Sequence, residues 1–298
     1  MTVKQILFCI SLFFASVATQ SQNFLYRAIE RFSFEGFAGF ANYQGELQES
    51  PYTFSQAKAG FSLGGRFELA DRFFLRGLAT YGKVSASDKY ARSLDRRNRN
   101  LDFSSAIYDA SITGVYEIFN ITEKRYTPYV FAGVSLFHFS PYTYDSTGAL
   151  RWLMPLGTEG QGLSAYPDRK IYKLDQLSIP FGAGIKFAVN KNIAIGWEFR
   201  FNKTFTDYLD DVSTTYADYN TLITGKFGVL SAEMAYRGGE VKGGNPVYPA
   251  AGTKRGNPKT KDWYYFSGIT VTYTLFPKEN FSGNQKALRD LRCPVNVF

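Results

Sequence analysis

A chain with a single histidine has few routes to general acid–base chemistry, and here that residue is His138. An imidazole becomes catalytic only when a nucleophile or a carboxylate lies within hydrogen-bond reach. Ser135, Ser140 and Asp145 are the neighbours that could supply one, and the reaction class would be hydrolysis or acyl transfer at a barrel rim. A lone His at a strand end is more often a surface residue, so the expectation is a chain with no catalytic residues that is not an enzyme. A second constellation is Asp207, Asp210 and Asp211, three carboxylates within five residues of the stretch Thr206–Thr214. Oxygen-rich clusters can hold Ca²⁺, but the order and glycine spacing of an EF-hand loop are absent. Aspartates at loop tips also tie their own backbone in Asx-turns. A structural role without metal is expected.

The run Gly157-Thr158-Glu159-Gly160-Gln161-Gly162 is glycine-rich, yet it lacks the Lys-Ser/Thr of a phosphate-binding loop and opens no helix. No nucleotide or other cofactor is implied, and no small-molecule substrate. The 34 Lys and Arg outnumber 26 Asp and Glu, giving a net charge of +8. Apart from Arg92–Arg99 and Lys254–Lys261 the cations are scattered, and both clusters fall in loop-like stretches. Lipid phosphates at a membrane surface suit them better than nucleic acid does.

Any of these groups must be held by a scaffold, and the scaffold reads as strands. Phe and Tyr number 28 and 21, with 27 Gly. Beyond the N-terminus no apolar run reaches the roughly 20 residues of a membrane helix. Leu177–Asn190 alternates at period two, with Leu177, Ile179, Phe181, Ile185 and Phe187 on one face and Ser178, Gly182, Gly184 and Lys186 on the other. Similar alternation runs through 193–202, 58–69, 72–81, 108–118 and 265–275. Two further segments, Ser33–Asn42 and Pro128–Phe139, carry apolar residues on both faces. That makes eight strands. Short links at Ala70-Asp71, Asn120–Thr127 and Asn190–Asn192 alternate with long ones at 43–56, 85–102, 140–176 and 205–263. Short turns on one side and long loops on the other are the layout of an outer-membrane barrel, with both termini periplasmic.

The expected fold is therefore all-β, an eight-stranded antiparallel transmembrane β-barrel with long external loops. A soluble periplasmic sandwich or barrel would show the same alternation. Two features favour the membrane: large aromatics near strand ends (Phe67, Phe73, Tyr81, Phe187, Tyr265, Tyr273), and opposite faces of Gly, Ser and Thr with single charges. Those charges are Lys58, Arg66, Arg76, Lys186 and Arg200 with Glu68, Asp109, Glu117 and Glu198. A barrel of about eight strands is just wide enough to be filled by side chains, so an ion-pair network that plugs the lumen is expected, and a general porin is not.

The ends divide the chain into a signal peptide over 1–22, the barrel over 23–276 and a periplasmic tail over 277–298. Lys4 before the apolar run Ile6–Ala15 gives the export signal, with cleavage between Ala18 and Gln22. Cys9 lies within that run, which leaves Cys293 as the mature chain's one thiol. In the tail, Lys286, Arg289 and Arg292 flank Ala287-Leu288, a candidate partner-binding segment that is either a short basic helix or unfolded.

Taken in order, several segments resemble the PorG-like outer-membrane proteins of the Bacteroidota. They are Asn42-Tyr43-Gln44-Gly45-Glu46-Leu47, Tyr126–Val134, Pro155–Gly162, Ile179–Gly184 and Thr206–Tyr216, with Glu46 where the family pattern suggests Asp. The resemblance implies a component of the type IX protein secretion machinery. Its partners would be the periplasmic ring formed by a PorK-like lipoprotein and a PorN-like protein, together with outer-membrane lipid. An alternative is a surface interaction protein whose loops 140–176 and 205–263 bind an external partner.

Overall fold

The computed structural model describes residues 30–48 and 53–277. Nine strands follow the alternating segments: β1 (Phe32–Gln44), β2 (Lys58–Ala70), β3 (Phe73–Ser87), β4 (Asp102–Glu117), β5 (Tyr126–Tyr144), β6 (Leu150–Trp152), β7 (Asp175–Ala188), β8 (Ile193–Thr204) and β9 (Trp263–Thr274). Every pairing is antiparallel, and β1 joins β9 while β4 joins β5, so the sheet returns on itself. The three-residue β6 pairs only with the end of β5. The molecule is thus a closed eight-stranded antiparallel barrel, and closure leaves its wall no unpaired edge.

The short turns are built by local chemistry. Arg72 takes the left-handed conformation (φ 63°) between β2 and β3. The Asn190 side-chain oxygen accepts the N–H groups of Asn192 and Ile193, both at 2.8 Å. Asn120 does the same for Thr122 at 3.0 Å. These Asx-type contacts reverse the chain in a few residues.

Outward side chains are large and apolar all round the ring: Phe61 and Leu63 on β2, Ile112 on β4, Val134 on β5, Leu177 on β7 and Val271 on β9 are all exposed. In water that belt would far exceed the few hundred Å² of apolar patch that soluble monomers tolerate. A soluble sandwich would turn these groups inward. The barrel is therefore of the transmembrane kind. Outward aromatics gather at the strand ends, with Phe73, Tyr116, Tyr126, Phe187 and Tyr273 near the short turns and Tyr81 and Tyr108 nearer the loops. Tyr265 departs from the expected girdle. It is buried between Phe201, edge-on at 5.4 Å, and Trp263, stacked at 6.4 Å.

At the loop end β3 runs 15 residues and β5 runs 19, beyond the 9–11 or so that cross a bilayer. The long connections fold over this raised wall and carry α1 (Leu94–Arg99), α2 (Leu153–Leu156), α3 (Tyr219–Ile223) and α4 (Val229–Ala235). Leu153, Leu156, Leu209, Val212 and Met234 from these connections share one core with Phe103, Ile107, Phe137, Phe139, Tyr264 and Phe266 from the wall. Segments 140–176 and 205–263 thus form a packed cap. The proposed signal, Cys9, Cys293 and the tail cations Lys286, Arg289 and Arg292 lie outside the described residues. No described helix is long and apolar enough to cross a membrane; the strands do so.

Candidate functional site

The lumen is filled in two different ways. Toward the short turns, Glu117 takes both Arg66 and Lys186 in ion pairs, and the Arg66 guanidinium lies 3.6 Å from the Phe74 ring centroid. One layer further in, Arg76 bridges Glu35 at 2.8 Å and Glu198 at 2.5 Å, while Arg200 holds the other Glu198 oxygen at 2.9 Å. Tyr129 donates its hydroxyl to Glu198 at 2.9 Å, and Arg76 stacks 4.2 Å from the Phe131 centroid. A charge in so dry a space is tolerated only with partners on most of its polar atoms. Four buried cations, Arg66, Arg76, Lys186 and Arg200, face four buried acids, Glu35, Asp109, Glu117 and Glu198.

Two expectations, those for Lys58 and Asp109, are corrected. Lys58 is exposed at the loop end of β2, because strand parity carries past the sealed section to where water reaches it. Glu68 is half-buried at the short-turn rim. Asp109 is buried without an ion pair in this network and accepts the Tyr264 hydroxyl at 2.7 Å. The sequence reading also missed Glu35. Phe residues on both faces of β1 hid which face turned inward, and the signal available was its pairing opposite Gly64 and Thr272, both on lumen-side registers.

Above these layers the lumen becomes apolar, and over it sits the cap with a second set of buried acids. The three aspartates do not form one cluster. Asp211, in the left-handed region at φ 64°, accepts the Thr158 hydroxyl at 2.5 Å and that of Tyr172 at 2.8 Å. Burial pushes its carboxyl up to about 7. Asp207 accepts the Ser213 hydroxyl at 2.7 Å and is raised by burial to about 6. Asp210 turns away from both, accepting the Tyr43 hydroxyl at 2.6 Å and the Val212 N–H at 2.9 Å. Asp262 meets the same Tyr43 hydroxyl at 3.0 Å and accepts the Leu209 N–H at 2.9 Å. Oxygens of Glu46, Asp210 and Asp262 all lie within 4.8 Å of one another, and all three residues are buried. Burial, with the neighbouring acids, raises Glu46 to about 9 and Asp262 well above its ordinary range, and burial raises Asp210 to about 7.

Beside this centre stands a fully satisfied one. Glu159 pairs with Arg255 at 2.9 Å and accepts the N–H groups of Ser213 and Thr214 and the Thr214 hydroxyl. The segments around Tyr43, Glu159 and Asp207, distant in sequence, therefore meet in the cap. Sequence reasoning had no means to join Glu46 and Asp262 to Asp210, since 164 and 52 positions separate them.

His138 lies on the outward face of β5. Its Nδ1 is 2.8 Å from Asp175 Oδ1 and its Nε2 is 3.0 Å from Ser140 Oγ. Ser135 points the other way and bonds Ser178, and Asp145 holds Arg151 and Thr147. The Ser140–His138–Asp175 row has the order of a nucleophile, base and orienting acid. An oxyanion also needs aimed N–H donors, and the Ser140 N–H is taken by Ser105 Oγ at 2.9 Å.

Residues 4–150 match the model of a family described as "Domain of unknown function (DUF6089)". None of the curated proteins matches the chain. Among solved structures it is similar to Neisserial surface protein A (NspA), at 11% identity over 82% of this chain and 97% of that one, TM-score 0.40. It is also similar to Ail, the attachment invasion locus protein of Yersinia pestis, at 11% identity over 81% and 96%, TM-score 0.36. A third is the outer membrane protein OprG of Pseudomonas aeruginosa, at 10% identity over 82% and 97%, TM-score 0.36.

Proposed function

We propose that this protein is a sealed outer-membrane barrel whose work is anchorage and not transport, catalysis or cofactor chemistry. The observation that carries this reading is the lumen, closed at one end by the Glu117 and Glu198 ion-pair layers and at the other by an aromatic core continuous with the cap. A filled barrel conducts poorly and holds position well. The resemblance of the Tyr43, Glu159 and Asp207 segments to the PorG-like proteins makes the periplasmic ring of the type IX secretion machinery the proposed partner, through PorK-like and PorN-like proteins. On that reading the short turns and the tail bearing Lys286, Arg289 and Arg292 face the ring, and both termini are periplasmic. Deleting the gene is expected to abolish export of type IX cargo and to loosen recovery of the ring with outer membranes. Normal export by the deletion strain would refute the reading.

One observation favours a second role at the surface. The cap leaves Tyr219, Val229 and Val247 exposed on its outside. A surface interaction protein would lose adhesion when intact cells are shaved with protease while secretion continues.

A further inference from the structure

The acid centre of the cap leaves one buried carboxylate oxygen, Oε2 of Glu46, without a donor. Tyr43 has one hydroxyl proton for two carboxylates, at 2.6 Å from Asp210, which also accepts the Leu47 N–H at 3.3 Å, and 3.0 Å from Asp262. Glu46, only 7% exposed, accepts the Asn257 N–H through Oε1 and leaves Oε2 with no hydrogen-bond partner. Asp207, 2% exposed, likewise has an unpartnered Oδ1. Leaving a buried carboxylate oxygen unmatched costs more than a hydrogen bond returns. A neighbouring position repeats the signal: a Cβ on Gly45 would overlap Tyr43 Oη and Asp262 Oδ1, so the loop after β1 is drawn tight over these oxygens. Of the nearby guanidinium groups, Arg255 is committed to Glu159 and to the Asp211 and Ala235 carbonyls, and Arg99 to Asp88 and the Arg255 carbonyl.

We propose that Glu46, Asp210 and Asp262 bind a calcium ion that ties the loop after β1 and the loop after β8 to the start of β9. The donor set is all oxygen and largely carboxylate, which selects a hard cation and excludes the softer metals. Ca²⁺ accepts irregular carboxylate geometry at about 2.3–2.6 Å, whereas Mg²⁺ demands a near-ideal octahedron and keeps several waters. The three oxygens, all within 4.8 Å of one another, are close enough to share one ion. Glu46 reaches a cleft of about 800 Å³ that is lined as well by Arg96, Arg99, Lys254 and Lys261, whose charges an entering cation must pass. Satisfied in this way, the centre is a clasp that fastens the cap onto the barrel mouth.

The test uses the full chain, refolded in detergent and stripped with chelator. Tb³⁺ is the probe, its luminescence sensitised by Tyr43 and Trp263 and displaced by Ca²⁺. The expected result is one saturable site, competed by Ca²⁺ better than by Mg²⁺, and weakened roughly tenfold or more in Glu46→Gln and Asp262→Asn. Ca²⁺ should also protect the cap of the wild type from protease, and not that of Glu46→Gln. Asp262→Asn removes an acceptor of the Leu209 N–H and can disturb folding on that account. Glu46→Gln keeps an oxygen for the Asn257 N–H while removing the charge, and so keeps the test decisive. A wild type that neither binds Tb³⁺ saturably nor gains protection at about 10 mM Ca²⁺, well above the weakest extracellular sites, overturns the proposal. So does a Glu46→Gln variant that binds as the wild type does.

Discussion

The two halves of the barrel interior solve one problem with opposite chemistry. Near the short turns the wall turns in Arg66, Arg76, Lys186, Arg200 and their acids; near the loops it turns in Phe37, Phe137, Phe139, Tyr264 and Phe266. Ion pairs in a dry lumen gain little net stability, since desolvation offsets much of the attraction, but breaking one is costly. An apolar core stabilises outright, in proportion to area removed from water. The charged half therefore acts as a fixed seal, and the apolar half is where the barrel and its cap hold together. Electrostatics closes the pore, and packing makes wall and cap one body.

The largest effect is expected at Glu198, which serves both Arg76 and Arg200. Glu198→Ala is expected to lose about 3–5 kcal/mol in urea unfolding followed by gel mobility, because two buried guanidinium groups are left without it. A loss below 1 kcal/mol would show that water already enters this layer. In the apolar half, Leu209→Ala at the cap–barrel junction should cost about 2–5 kcal/mol. Limited proteolysis would then cut the 205–263 segment while the strands stay resistant. Equal protection of cap and wall in that variant would deny the junction its role. At the border between halves, Tyr264→Phe removes the hydroxyl given to Asp109 and should cost about 1–3 kcal/mol, read in the same unfolding assay. The smallest effects belong to groups outside the sealed lumen. Lys58→Ala and His138→Ala both change exposed or half-exposed groups, and each should stay within about 0.5 kcal/mol. Loss of a lipid-ester hydrolase activity in His138→Ala would instead make the Ser140–His138–Asp175 row an active site.

The wall was legible in the sequence because one of its faces is lipid and the other is not. Where the lumen is charged, as on β3, β7 and β8, alternation is clean, and Arg76, Lys186, Glu198 and Arg200 declare themselves. Where the lumen is aromatic, the contrast disappears: Tyr129, Phe131 and Phe137 on β5 face inward while Val130, Val134 and Leu136 face lipid. The same blurring hid Glu35 on β1, between Phe34 and Phe37. Parity also misled at strand ends, since it marks a side and not a depth, which is how Lys58 came to be assigned to the lumen. The cap was the least legible part. Its acid centre depends on contacts such as Tyr43 to Asp210, 167 positions apart, and local spacing grouped Asp210 with Asp207 and Asp211 instead. The resemblance named the segments around Tyr43, Glu159 and Asp207 without revealing that they touch.

The seal itself is open to direct measurement in planar lipid bilayers, by adding the refolded full chain and recording current under an applied voltage. A lumen filled as described passes no unitary steps in the wild type, whatever the sign of the voltage. Discrete, long-lived conductance steps from the wild-type protein would mean an open channel, and the anchoring role argued from its closure would fall with it.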